Sequence, residues 1–147
     1  MSLKFAQGTY KLKFPDKYIG NGTPRYRSSW ELAVMKMCDE NPGIQQWASE
    51  SIKIPYRDPL TGKHTVYVPD FLVVYTDKNQ HKHAEVWEIK PRSQTMLEAV
   101  GKNKYNQAHY IKNMAKWQVA RQWCAKHGLQ FRVLNEGDIF HMGGKRR

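Results

Sequence analysis

Apolar and polar positions along the chain fall into two helical stretches separated by runs of strand character. The longest regular pattern is late, at residues 105–128, where Ala108, Ile111, Ala115, Val119 and Trp123 recur every three or four positions. That spacing predicts one buried helix face, with Lys112 and Lys116 on the other side and Gly128 as the glycine just past the end. An earlier helix is predicted from Ser28 or Ser29, either of which can cap an N-terminus, through residues 30–37. It is apolar on more than one side, which predicts deep burial, and Asn41-Pro42-Gly43 stops it. Between the helices, "SIKIPY" (51–56) alternates like a half-buried strand, and "DPLTGK" (58–63) is a turn. "VPDFLVVY" (68–75) and "EVWEIKP" (85–91) are rich in β-branched and aromatic residues and read as strands joined by polar "TDKNQHKH". Residues 92–104 read as a polar surface loop, and "LQFRVLNE" (129–136) as a last strand. Helix, three strands in a meander, helix, strand: the order predicts a mixed α/β domain.

Length and charge narrow this picture. With 147 residues the chain needs only one domain, 1–147. Its ends read as a basic, irregular arm (1–27), partly packed by Tyr10, Phe14 and Tyr18, and a flexible basic tail (137–147). Lys and Arg outnumber Asp and Glu 24 to 13, a formal charge of +11. That excess calls for a polyanionic partner, nucleic acid ahead of an anionic membrane surface. No apolar run approaches the roughly 20 residues of a membrane span. The N-terminus lacks the apolar core of a signal peptide, so an intracellular protein is expected. Cys38 and Cys124 lie in helical patterns without C-x-x-C spacing, which argues against a disulfide scaffold or a zinc finger. "GKNK" lacks phosphate-loop spacing, which argues against ATP-driven chemistry. His81 and His83 read as a solvated loop, and Trp47, Trp117 and Trp123 as packing residues.

The chemistry lies in the two strands. Alternate strand residues share a face, so Asp70 points with Val68 and Leu72, and Glu88 with Val86 and Lys90. If the strands pair with these faces aligned, two carboxylates and a lysine converge. An isolated E-x-K reads first as a solvent-facing ion pair, but here both acids stand in apolar strands. Burying unpaired carboxylates costs several kcal/mol each, on the order given by charge-transfer arguments. A divalent cation removes that conflict, and Mg²⁺ accepts a few carboxylate oxygens while leaving positions for a phosphate. A cationic Lys90 beside it completes the equipment for phosphodiester hydrolysis. Glu31 places a third acid on the apolar face of the first helix, where the helix dipole alone could also favour it. Lys102, Lys104, Lys112 and Lys116 are read as lining a DNA path, with Arg27 reaching a phosphate from the mouth of the first helix.

Pro69-Asp70, seventeen residues, then Glu88-Ile89-Lys90 resembles the PD-(D/E)XK nuclease superfamily. The resemblance implies a restriction-endonuclease-like core, a central mixed β-sheet flanked by α-helices. It implies that Asp70, Glu88 and the Ile89 carbonyl bind Mg²⁺, with Mn²⁺ able to substitute. Lys90 becomes the catalytic lysine, and Glu31 matches the acid many members carry on their first helix. Residues 26–136 are similar to the head-completion nucleases of contractile-tailed phages, which implies action on packaged DNA ends. DNA is then the expected partner, with phage head or neck proteins beside it, and two subunits acting together for a double-strand cut. The expected place is the host cytoplasm, with association to the virion. Transposon end-cleaving and homing endonucleases share this core, and a non-catalytic DNA-binding capsid protein is the rival from another class.

Overall fold

The computed structural model describes residues 7–95 and 101–139. Its centre is a four-stranded sheet in the order β3-β6-β7-β8, formed by Ile44–Ser49, Phe71–Thr76, Lys82–Ile89 and Gln130–Leu134. β3 and β6, and β6 and β7, pair antiparallel, and β8 lies parallel to β7. The parallel pair needs a crossover, which α2 (Lys104–Lys126) provides. Helix α1 (Ser29–Glu40) covers the opposite face. The fold is therefore the α/β, restriction-endonuclease-like core that the sequence resemblance implies.

Two strand readings need correction. β3 was not expected, because its residues IQQWAS do not alternate. A register irregularity between Ile44 and Gln46 leaves Gln45 and Gln46 both exposed and Trp47 and Ala48 both buried. The second correction concerns residues 68–75. The apolar run is longer and is cut at Val68-Pro69-Asp70 into β5 (His64–Tyr67) and β6. Pro69 has no N–H to give to a ladder, so the strand cannot run through it. β5 pairs with β4 (Ile54–Arg57) in a separate two-stranded sheet, so the predicted meander does not form; only β6–β7 is a hairpin within the central sheet. The arm is also less irregular than expected, since β1 (Gly8–Thr9) pairs with β2 (Arg25–Tyr26). Tyr10 and Tyr18 pack as predicted, but Phe14 is exposed.

Each face of the sheet has its own core. On one, Val34, Met35 and Cys38 of α1 meet Trp47, Phe71, Val73, Trp87 and Ile89. On the other, Trp117, Ala120 and Cys124 of α2 meet Val86, Phe131 and the β4–β5 residues Ile54, Tyr56 and Tyr67. Burial of this apolar surface, at about 25 cal/mol per Å², is the main force holding both layers. The predicted stripe on α2 is rotated: Asn113, Trp117, Ala120 and Cys124 are buried, while Ile111 is exposed. The helix ends are as the sequence specifies. Ser28 accepts from the Glu31 amide at 3.1 Å, and Gly128 takes φ +72° past α2 while the Leu129 amide reaches the Cys124 carbonyl at 2.8 Å. Among the described residues no helix is long and apolar enough to cross a membrane. Residues 1–6 of the arm, 96–100 of the predicted loop and 140–147 of the predicted tail lie outside the described residues.

Candidate active site

β6 and β7 pair with Phe71 opposite Trp87 and Leu72 opposite Val86. One step further along that register, Asp70 comes opposite Glu88. Asp70 stands in the bend just before β6, Glu88 near the end of β7, and Lys90 just past it. The strand break at Pro69 therefore moves Asp70 to the mouth of the sheet without losing the alignment the sequence predicts. Trp87, on the other face of β7, packs against α1, so Glu88 faces α2.

The two carboxylates are held by few donors. The Ile89 amide donates to Asp70 Oδ2 at 2.7 Å, and the Tyr67 hydroxyl donates to Glu88 Oε1 at 2.7 Å. Lys90 Nζ lies 3.7 Å from Glu88 Oε2. Glu88 is only 6% exposed. Burial first, and the Glu88 charge second, hold the Asp70 carboxyl well above its ordinary value. Burial also raises Glu88, against the pull of Tyr67, Lys90 and Lys116. Two acids that both resist ionisation, side by side, are a charge conflict that Lys90 and Lys116 only partly compensate. Asp70 Oδ1 accepts no hydrogen bond among the described residues, which leaves it open to a cation.

The remaining candidates divide. Lys116 joins the centre: its Nζ lies 5.5 Å from the centroid of the Tyr67 ring, and its charge acts on Glu88. Burial, and then Lys90, lower the Lys116 ammonium from its ordinary range. Lys112 instead pairs with Asp58 at 3.2 Å, tying α2 to the turn of the β4–β5 hairpin. Arg27 pairs with Glu50 through its guanidinium, and its backbone amide donates to Glu31 Oε1 at 2.9 Å. Glu31 thus helps finish the N-terminus of α1, and its charge also raises Asp70; burial raises Glu31 itself, against the pull of Arg27 and Lys90. Lys102 and Lys104 are exposed at the start of α2. Among the described residues no three His, Cys, Asp or Glu side chains form a metal-holding group. The hard carboxylate oxygens of Asp70 and Glu88 nevertheless suit Mg²⁺, which keeps several waters of its own.

Sequence reasoning missed Tyr67. Its signal is its position two residues before Pro69: a strand broken at the proline ends on Tyr67, beside the acid that follows.

A mixed sheet with an acid at the mouth of one strand, an acid and a lysine at the end of the next, and a helix on each face is the architecture of a nuclease. Comparison with known proteins agrees. A family model described as the TnsA-like endonuclease N-terminal domain matches residues 41–136. The head completion nuclease of Enterobacteria phage T4 is 31% identical over 150 residues, covering 92% of this chain and 97% of that protein. The chain belongs to this PD-(D/E)XK-like endonuclease family. Asp70, Glu88, Ile89 and Lys90 fall inside the matched segment, and Arg27 and Glu31 precede it.

Proposed function

We propose that this chain is a divalent-metal-dependent DNA endonuclease that trims packaged DNA ends as a phage head is completed. The observation that carries the reading is the pairing of partly buried Asp70 with buried Glu88, which opposes like charges beside Lys90 where a purely structural acid would have gathered donors. The relative's name supports the place of action, and the net charge of +11 supports the substrate.

In this reading Asp70, Glu88 and the Ile89 carbonyl hold Mg²⁺, with Mn²⁺ as a substitute and Glu31 at the margin. When bound, the cation supplies Lewis acidity to a phosphate oxygen and makes a nearby water more acidic. Lys90 orients the attacking water and balances charge growing on the phosphate. Water forms the new P–O bond, the bond to the bridging oxygen breaks, and that oxygen leaves with a proton from solvent. Tyr67 fixes Glu88 Oε1, and Lys116 adds positive charge on the substrate side. Lys102, Lys104, Lys112 and Arg27 guide the DNA backbone, the last two by releasing their present carboxylate partners. The whole chain acts as one nuclease domain, in the host cytoplasm and on the virion, with head or neck proteins beside it. A pair of subunits makes the double-strand cut.

Cleavage of supercoiled plasmid by the wild type and Glu88→Gln, with Mg²⁺, Mn²⁺ or EDTA at low salt, tests this. Nicking by the wild type only with metal, and binding without cutting by Glu88→Gln, is the expected result. Binding without cutting by both proteins would leave a non-catalytic DNA-binding capsid protein. The TnsA-like match favours one alternative, an endonuclease that cuts defined ends in transposition. Equal cutting of random and defined DNA excludes that alternative.

A further inference from the structure

Beside the carboxylates a groove of about 320 Å³ opens between the turn after β7 and the first half of α2. Lys90 lines it and also lies 3.7 Å from Glu88, so one side chain links the groove to the centre where a phosphate would react. Its volume is at the small end of the roughly 300–1,000 Å³ typical of small-molecule sites. A single planar base fits such a space, and a duplex does not.

The lining has the chemistry that holds an unpaired base. Tyr105 is 71% exposed, an unusual position for an aromatic ring, and leaves a face free for stacking. His109 packs edge-on against it, with centroids 4.4 Å apart and planes at 66°, which braces the Tyr105 ring upright. Tyr110 adds a second ring along the same wall. Three amides, Gln94, Asn106 and Asn113, supply donors and acceptors of the kind that read base edges. Asn113 lines the groove and is only 4% exposed.

We propose that this groove takes an unstacked nucleobase next to the phosphate to be cut, so that the enzyme selects DNA ends, forks and strand breaks over uninterrupted duplex. The inference rests on the placement of the reacting phosphate at Asp70, Glu88 and Lys90. It explains how the enzyme can act at ends: fraying supplies the loose base, and the groove captures it. Stacking one base on an aromatic ring is worth roughly five- to 150-fold in affinity, which sets the size of the preference.

The test compares two hairpin duplexes of the same sequence, one blunt and one forked with a 2-aminopurine at the first unpaired position. Affinity is measured by anisotropy with Glu88→Gln as background, and cleavage by the catalytically intact chain with Mg²⁺. Preferred binding of the fork by fivefold or more is expected, with a change in 2-aminopurine emission as the base stacks. Tyr105→Ala should collapse the ratio of fork to blunt affinity toward one and abolish the emission change. Ile111→Ala, exposed on the same helix but outside the groove, should retain both. Equal affinity for fork and blunt DNA in the background protein, or a preference that survives Tyr105→Ala, would overturn the groove assignment while cleavage still reports on the carboxylates. A fork preference and emission change without cleavage in any metal would instead sink the placement of the reacting phosphate, and with it the claim that the captured base lies beside a cut.

Discussion

β7 carries two buried glutamates three residues apart, and they live in opposite electrostatic worlds. Glu85, on the α1 face, accepts from the Tyr75 hydroxyl and from Trp87 Nε1, both at 2.8 Å, and pairs with Arg132 at 3.2 Å. Glu88, on the α2 face, has one hydroxyl donor, a lysine 3.7 Å away and a second, partly buried carboxylate across the strand pair. Asp39, buried on α1, repeats the Glu85 pattern: it accepts from the Tyr10 hydroxyl and from the Lys13 and Phe14 amides, at 2.7, 2.8 and 3.1 Å. Burial of an acid therefore says little by itself. Glu85 and Asp39 are compensated and fasten the sheet and the N-terminal arm, whereas Asp70 and Glu88 are left in conflict. Conflict that the fold retains is the mark of a site kept for a ligand.

Substitutions should separate the two kinds of acid site. Lys90→Ala removes the cation beside the conflicted pair, and cleavage of plasmid should fall by about 10²- to 10⁴-fold with little change in unfolding midpoint. Asp39→Ala should do the reverse. It strands three donors, costing about 3 kcal/mol or more in urea unfolding, while cutting per folded molecule is retained. Tyr67→Phe takes the single hydroxyl from Glu88, and a loss of about 10- to 100-fold in cleavage is expected, recoverable in part at higher Mg²⁺. If Tyr67→Phe cut as fast as the wild type at every Mg²⁺ concentration, the hydroxyl would be packing alone.

The smallest effect is in the pH dependence of the metal-free protein. The folded chain holds the Asp70 proton above the ordinary value of 3.8. Between that value and the raised one, the native state binds more protons than the unfolded state, so stability falls as pH rises. The stability is complete below the unfolded value and is lost as pH passes the folded one. Chemical unfolding in EDTA across this range should show a loss on the order of 1 kcal/mol in the wild type and a flatter curve in Asp70→Asn.

Much of this was legible in the sequence, and the misses have physical causes. The Pro69-Asp70 and Glu88-Ile89-Lys90 pair was found because a two-residue period puts charges where apolar residues belong. The α1 cap at Ser28 and the glycine after α2 are local backbone requirements, visible without tertiary context. β3 was missed because an irregular register breaks its alternation, and the meander failed because Pro69 diverts β5 to pair with β4. The α2 stripe was misassigned because the helix buries Asn113, a polar residue, and exposes Ile111. Tyr67 and the groove of Tyr105 and Asn113 depend on which elements meet in space, and no spacing along the chain announces that.

The central claim is that the Asp70–Glu88 conflict is resolved by a divalent cation, and thermal unfolding measures it without recourse to cleavage. Scans of the wild type and Asp70→Asn with EDTA and with saturating Mg²⁺ are sufficient. The account predicts that Mg²⁺ raises the wild-type midpoint by about 5 °C or more and leaves Asp70→Asn nearly unmoved. An equal shift in both proteins, or none in either, would contradict it.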